Sequence, residues 1–268
     1  MANITPIFVL GSPRSGTTLI SAFLGTSKEI IDFGELGVFY FARWVSRREY
    51  KRSTMLLRED YFRELENHAV DFAVRKTEEV FATYFCDSTP FNLRIADFLA
   101  TTFPNAIFVL TLRHYSGVIQ SLERSFADGR RWAGETVPER ALIWKEVYSY
   151  APNLPFERTV PISFDRLCLS PQLTIDEFVQ RLGILGVPTH DLSLSAFCKS
   201  HATTKPRSTI GVVTNDGETN LQSIPSFDRF LWLKSTENDV SAIVSETENM
   251  LKQLFPQYYY QPVDWGER

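Results

Sequence analysis

The chain has 268 residues, 44% hydrophobic and 22% charged, ordinary proportions for a globular protein with a sizeable core. Its 28 basic and 32 acidic residues leave a formal net charge of −4, so global charge gives no case for nucleic acid or a membrane surface as partner. An anionic ligand has to be caught by local basic residues instead. The three cysteines, Cys86, Cys168 and Cys198, lie far apart with no paired metal spacing, the pattern of reduced thiols in a cytoplasmic protein. "MANITPIFVLG" has no basic segment leading into a long apolar one, so no secretory signal is expected, and no apolar run reaches membrane-spanning length. The expectation is a cytoplasmic protein forming one domain over 1–268, or a domain of a longer chain.

In chain order, "PIFVL" (6–10) is a short continuous apolar run, as in a strand buried on both faces. "GSPRSGTTLI" (11–20) follows, opening a helix whose apolar residues recur at helical spacing through "GTTLISAFLGTS". Residues 36–58, rich in aromatics and arginines without a clean period, read as irregular helical cover, and 58–85 as a long amphipathic helix. A second buried strand is expected at 106–112 with a helix over "GVIQSLERSFADG", and a third strand at 159–164 with a helix over "TIDEFVQRLGI". Residues 199–228 are polar and punctuated by Gly and Pro, a long loop. A last helix, "ENDVSAIVSETENMLKQLF", is expected to start at a Ser235/Thr236 cap and stop before Pro256. Strands alternating with helices predict a three-layer α/β/α fold with a central, mainly parallel sheet, similar to P-loop NTPases. Ligands in such folds sit at the carboxyl ends of the strands. The loop after 6–10, Arg113, and Phe164-Asp165 should meet there.

A strand–glycine loop–helix unit aims backbone N–H groups at one point, and the helix dipole adds positive potential. The triphosphate-binding version reads GxxxxGK[ST]. Gly11 and Gly16 keep that spacing, but Thr17 stands in place of the lysine and the basic residue has moved to Arg14. In NTPases a later strand ends in an aspartate that holds magnesium. Here "IFVLTLRH" ends in Arg113, a cation that would repel a metal and attract a second anion. Ser121, eight residues on, can join Arg113 in clamping a phosphate. Together the two clamps imply a nucleotide with two separated anionic groups and no metal.

These residues resemble the sulfotransferase superfamily, which uses 3′-phosphoadenosine 5′-phosphosulfate (PAPS) and releases 3′-phosphoadenosine 5′-phosphate (PAP). "GSPRSGTTLI" resembles the 5′-phosphosulfate loop, which implies that Arg14, Ser15, Gly16, Thr17 and Thr18 hold the 5′ group. "LRHYSGVIQSLERSF" resembles the 3′-phosphate motif, with Arg113 and Ser121 at the family's spacing. "CDSTPFNL" (86–93) is similar to a D/E-K-T-P-x-N segment, with Ser88 in place of the lysine. "PISFDRLCLSP" is similar to a strand-end segment in which Phe164 takes the place of an adenine-contacting tyrosine. With no lysine at 88, the cation for the leaving phosphate is expected from Arg14 and from Lys234 in the C-terminal cover.

Sulfuryl transfer to a hydroxyl also needs a base. "IIDFGELGVFY" places Glu35 where several branches of the family carry a catalytic glutamate. Its apolar neighbours Phe33, Leu36, Val38 and Phe39 would raise a carboxylate's pKa. Asp32 and Asp87 are alternatives, and His68 and His114 are the nearest histidines. The expected partner is a hydroxyl-bearing acceptor (a small molecule, glycan or lipid), walled by "VFYFARWVSRREY" and the 199–228 loop. The rival readings are a P-loop kinase using ATP-Mg and a nucleotide-binding module without turnover.

Overall fold

The computed structural model describes residues 4–48, 59–203 and 237–259. The chain begins with β1 (Thr5–Leu10) and α1 (Thr17–Leu24), then β2 (Ile30–Asp32). A short α2 (Val38–Tyr40) runs on into a π-helical turn (Phe41–Val45). The long α3 (Glu59–Glu79) leads to β3 (Tyr84–Asp87), a 3-10 turn at Pro90–Ile95 and α4 (Ala96–Thr102). Then come β4 (Ile107–Leu112), α5 (Tyr115–Ala127) and α6 (Val137–Tyr148). The chain continues through β5 (Thr159–Ser163), α7 (Phe164–Leu169), α8 (Pro171–Ile184), α9 (Leu194–Thr203) and α10 (Glu237–Leu254).

The sheet has the order β2-β3-β1-β4-β5, and every neighbouring pair is parallel. Because side chains alternate along a strand, each face receives half of β1. Ile7 and Val9 pack with Ile20 and Phe23 of α1, Ile175 and Phe178 of α8, and Phe197 of α9. Phe8 and Leu10 pack on the other side, with Val118 and Leu122 of α5, Trp144 of α6, Ala69 and Ala73 of α3, and Val244 of α10. Phe8 is the hub of that face, its ring centroid within 6.0 Å of those of Phe39, Phe85, Phe103 and Phe108. Truncating such a ring to alanine costs about 3–5 kcal/mol.

This division positions the site. The helix after β1 covers one face and the helix after the adjacent β4 covers the other. Neighbouring strands whose connections leave toward opposite faces open a crevice at their carboxyl ends. The glycine loop and Arg113 stand on its two sides.

The α/β/α architecture matches the expectation; its details differ. Among the described residues there are five strands where three were expected, the additional ones being β2 and β3. The helix expected over 58–85 stops at Glu79, because Phe81 takes a left-handed φ of 57° and the following residues pair with β1 and β2. Pairing across the sheet outweighs local helical spacing here. The strand expected at 159–164 ends at Ser163, whose Oγ accepts from the Arg166 amide and turns the chain into α7. The first residues expected in the 199–228 loop belong to α9. The rest of that loop, Lys234 and the Ser235/Thr236 cap lie outside the described residues, whereas the helix at Glu237–Leu254 ends before Pro256 as expected.

Candidate active site

The glycine loop is built around a tight turn. The Ser15 amide donates to the Ser12 carbonyl at 3.0 Å, with Pro13 and Arg14 between them. Arg14 has φ 72°, the left-handed value that the third position of a type II turn requires and that glycine usually supplies. The two glycines are sterically required. A Cβ on Gly11 would stand 2.4 Å from Thr111 Oγ1, and one on Gly16 would stand 2.7 Å from Phe164 Cδ2. Gly16 starts α1 with no side-chain cap, and the first helical bond runs from the Ile20 amide to the Gly16 carbonyl. The amides of the first turn therefore lie outside the helix ladder, at the positive end of its dipole. Ser15 and Thr17 are buried, Gly16 is half-buried and Thr18 is exposed. Ser15 Oγ and Thr111 Oγ1 share a hydrogen bond of 2.7 Å, and Thr111 Oγ1 donates to the Leu10 carbonyl at 3.0 Å, so the loop is fastened to the end of β4.

The two halves of the crevice are joined by their cations. Arg14 Nε donates to Ser121 Oγ on α5 at 3.0 Å, and Arg113 Nη1 donates to the Arg14 carbonyl at 2.7 Å. The Arg113 guanidinium lies over the Phe164 ring, 4.3 Å from its centroid. It also lies against Gly117, where a Cβ would stand 2.9 Å from Nε. Two residues of α6 hold the β4 end in place: Trp144 Nε1 donates to the Arg113 carbonyl at 3.1 Å, and the Tyr148 hydroxyl donates to the Thr111 carbonyl at 2.7 Å. Arg14 is exposed at its surface, yet desolvation by the surrounding protein and the nearby Arg130 draw its guanidinium below its ordinary pKa, while Glu35 acts in the opposite direction.

Glu35 sits on a loop pinned on both sides. The Gly34 amide donates to Asp32 Oδ1 at 2.8 Å, and the Gly34 carbonyl accepts from the Ser88 amide at 2.8 Å. Beyond Glu35, the Leu36 amide donates to Asp87 Oδ1 at 3.3 Å and the Gly37 amide to Thr89 Oγ1 at 2.9 Å. Glu35 is exposed at its surface, yet desolvation by the surrounding protein raises its carboxyl, Asp87 raises it further, and the charges of Arg14 and Arg130 oppose them. The expected base and the expected loop cation thus lie within each other's electrostatic reach. The Ser88 hydroxyl is buried and, among the described residues, has no hydrogen-bond partner.

The alternatives to Glu35 have other work. Asp87 is fully buried and accepts from the Thr89 amide, the Thr89 hydroxyl and Asn92 Nδ2, all at 2.9 Å or less. It latches the "STPFN" turn. Asp32 accepts from the Ser21 hydroxyl and the Gly34 amide. His114 is 2% exposed; its amide donates to Asp165 Oδ2 at 2.8 Å and its Nδ1 lies 2.6 Å from Ser116 Oγ at the start of α5. It is therefore inside the fold. His68 is on the outside of α3, 3.8 Å from Glu64. Sequence reading overlooked Thr111, Trp144, Tyr148 and Arg130; the buried aromatic pair one helical turn apart in "WKEVY" was the available signal.

Solved structures share this fold. A sulfotransferase domain from the curacin biosynthetic pathway superposes with a TM-score of 0.59 at 20% identity, covering 97% of this chain and 99% of that one. A sulfotransferase from Alicyclobacillus acidocaldarius gives 0.53 at 14% identity, covering 98% and 99%. Protein-tyrosine sulfotransferase 2 of Gallus gallus is 25% identical over 188 residues, 66% of this chain and 51% of that protein. The chain spans about half the length of that relative. A family model described as the Sulfotransferase family matches residues 6–187, from the first strand through the glycine loop and both arginines to beyond α8. A match over more than half of the residues, taking in the loop that first suggested it, makes this chain a member of the sulfotransferase family.

Proposed function

We propose that the chain transfers a sulfuryl group from PAPS to an acceptor hydroxyl, with Glu35 as general base. The assignment rests above all on the Arg14–Ser121 hydrogen bond and the Arg113–Arg14 contact, which join the two expected anion clamps into one cluster. The fit to an anionic nucleotide has two further supports: a loop in which a Cβ at either glycine would collide with its neighbours, and the orphaned, buried Ser88 hydroxyl. Arg14, Ser15, Gly16, Thr17 and Thr18 would hold the 5′ group, Arg113 and Ser121 the 3′-phosphate, and Phe164 the adenine side. Lys234 stays within the proposal as a second cation for the leaving group. No metal is called for, since the strand that would carry a metal aspartate ends in Arg113.

PAPS supplies an activated sulfuryl group. Glu35 takes the acceptor's proton as the acceptor oxygen bonds to sulfur. The bond between sulfur and the bridging oxygen breaks, and PAP departs with the electron pair. Arg14 and the amides at the start of α1 stabilise the charge left on that phosphate. The raised Glu35 pKa makes its carboxylate a stronger base toward the acceptor's proton. Three cysteines without paired spacing support a reducing, cytoplasmic setting.

Calorimetric titration with PAP, with and without EDTA, combined with transfer from labelled PAPS, tests the assignment. Expected are PAP binding indifferent to EDTA and label transfer to an acceptor. Tight ATP-Mg binding with none of PAP would favour a kinase, and PAP binding without transfer to any acceptor would favour a module without turnover.

A further inference from the structure

Helix α3 carries more apolar surface than the core uses. Its buried stripe is Phe62, Glu66, Ala69, Ala73 and Thr77. Beside it runs Tyr61, Leu65, His68 and Phe72, spaced four, three and four residues apart, so that they line one face. Tyr61, Leu65 and Phe72 are 52%, 36% and 36% exposed. Phe41, in the π-helical turn, is 56% exposed opposite them. Turns of that type concentrate at functional sites. Between these elements lies a cavity of about 340 Å³ whose walls include Leu36, Val38, Phe41, Leu65, His68 and Phe72.

We propose that this groove holds the apolar chain of an aliphatic alcohol and presents its hydroxyl to Glu35. The proposal rests on the sulfuryl-transfer assignment above and adds the acceptor class. Continuity with the site is the first argument. Leu36 and Gly37, the two residues after Glu35, are part of the wall, and their amides are fixed by Asp87 and Thr89. Lining chemistry is the second. Of the described lining residues only His68 has a polar side chain, so a sugar against them would leave most of its hydroxyls unpaired. Shape is the third. Leu65 to Phe72 spans about 10 Å of helix along an open concavity of about 340 Å³, at the small end of ligand pockets.

The test uses the whole chain, labelled PAPS and straight-chain alcohols from propanol to decanol, with an alkyl-free glucoside and a tyrosine peptide as contrasting acceptors. The expected kcat/KM rises about threefold to fourfold per methylene until the groove is filled, as burial of each group predicts. Leu65→Gln and Phe72→Gln should flatten that slope, Leu65→Met should restore it, and PAP affinity serves as the control. Displacement of the fluorescent probe N-phenyl-1-naphthylamine by the same alcohols reads the groove without turnover and should follow the same order. A flat series with no displacement, or preference for the glucoside or the peptide, overturns the proposal while leaving sulfuryl transfer intact. Displacement ordered by chain length without transfer to any acceptor upholds an alcohol-binding groove and removes the base assignment instead. A concentration-dependent dimer that Leu65→Gln dissolves gives the stripe to a second copy and also overturns it.

Discussion

Glu35→Gln separates chemistry from architecture. The backbone on either side of Glu35 is held by bonds to Asp32, Ser88, Asp87 and Thr89, none of which involves its side chain. Replacing the carboxylate by an isosteric amide therefore leaves the hydrogen bonds that pin this loop in place, and stability should change by about 0.5 kcal/mol or less. Its sign follows from linkage. The folded-state pKa is raised above the unfolded value, first by desolvation and then by Asp87, so the folded form binds the proton more tightly. Wild-type stability then falls as pH rises from the unfolded carboxylate range through the folded pKa. The glutamine variant lacks that loss and should be slightly the more stable above this window, with the difference vanishing below it. Turnover should fall by about 10²–10⁴-fold, or roughly 2.7–5.4 kcal/mol of barrier, with PAP affinity almost unchanged. The wild-type rate should climb with pH through the raised carboxyl pKa, and the variant should lack that limb. Transfer from labelled PAPS, PAP calorimetry and thermal melts across acidic and neutral pH measure all of these. Near wild-type turnover in Glu35→Gln, with loss in His68→Ala or His114→Ala, would refute the glutamate base.

Arg113→Ala should weaken PAP by about 10- to 100-fold, the value of a charge-assisted hydrogen bond, and weaken 5′-AMP less; equal losses in calorimetry would make Arg113 purely structural. Arg14→Ala and Arg14→Gly should lose PAP equally, yet the glycine variant should be the more stable by about 0.5–1 kcal/mol, because relief of the left-handed strain exceeds glycine's added flexibility. Urea titration of the pair checks this, and an alanine variant as stable as the glycine one would mean that the turn stores no strain. Asp87→Ala should cost about 3 kcal/mol by stranding the Thr89 amide, Leu36 amide and Asn92 side chain, and Asp87→Asn less. Denaturation midpoints of the two variants would show it.

What could be read in advance follows physical lines. The strands β1 and β4 were legible because burial on both faces writes a continuous apolar run. Arg14, Arg113 and Ser121 were legible because their spacing is local to a loop or to a strand–helix junction. Their mutual contact was not, since 107 residues separate Arg14 from Ser121. Strand β3 was lost inside a helical pattern because "YFCD" continues an amphipathic run, and only pairing with β1 and β2 decides otherwise. Thr111, Trp144 and Tyr148 act through bonds to partners 31 to 101 residues away, for which a sequence carries no periodic mark. The exposed stripe on α3 looks like core until the fold shows what leaves it uncovered.

Gly117 has a consequence for how the nucleotide site can change. It occupies the first turn of α5, where alanine would be the better helix former by about 1 kcal/mol. The missing methyl is the space in which the Arg113 guanidinium rests, already confined by the Arg14 carbonyl and the Phe164 ring. A single methyl at 117 would push that guanidinium sideways by a few tenths of an ångström while strengthening the helix beneath it. On the proposed assignment of Arg113 to the 3′-phosphate, thermal robustness and discrimination of that phosphate are therefore set against each other at one position. Selection for heat tolerance alone would be expected to reach alanine there, and to arrive at a sturdier protein less able to tell PAP from 5′-AMP.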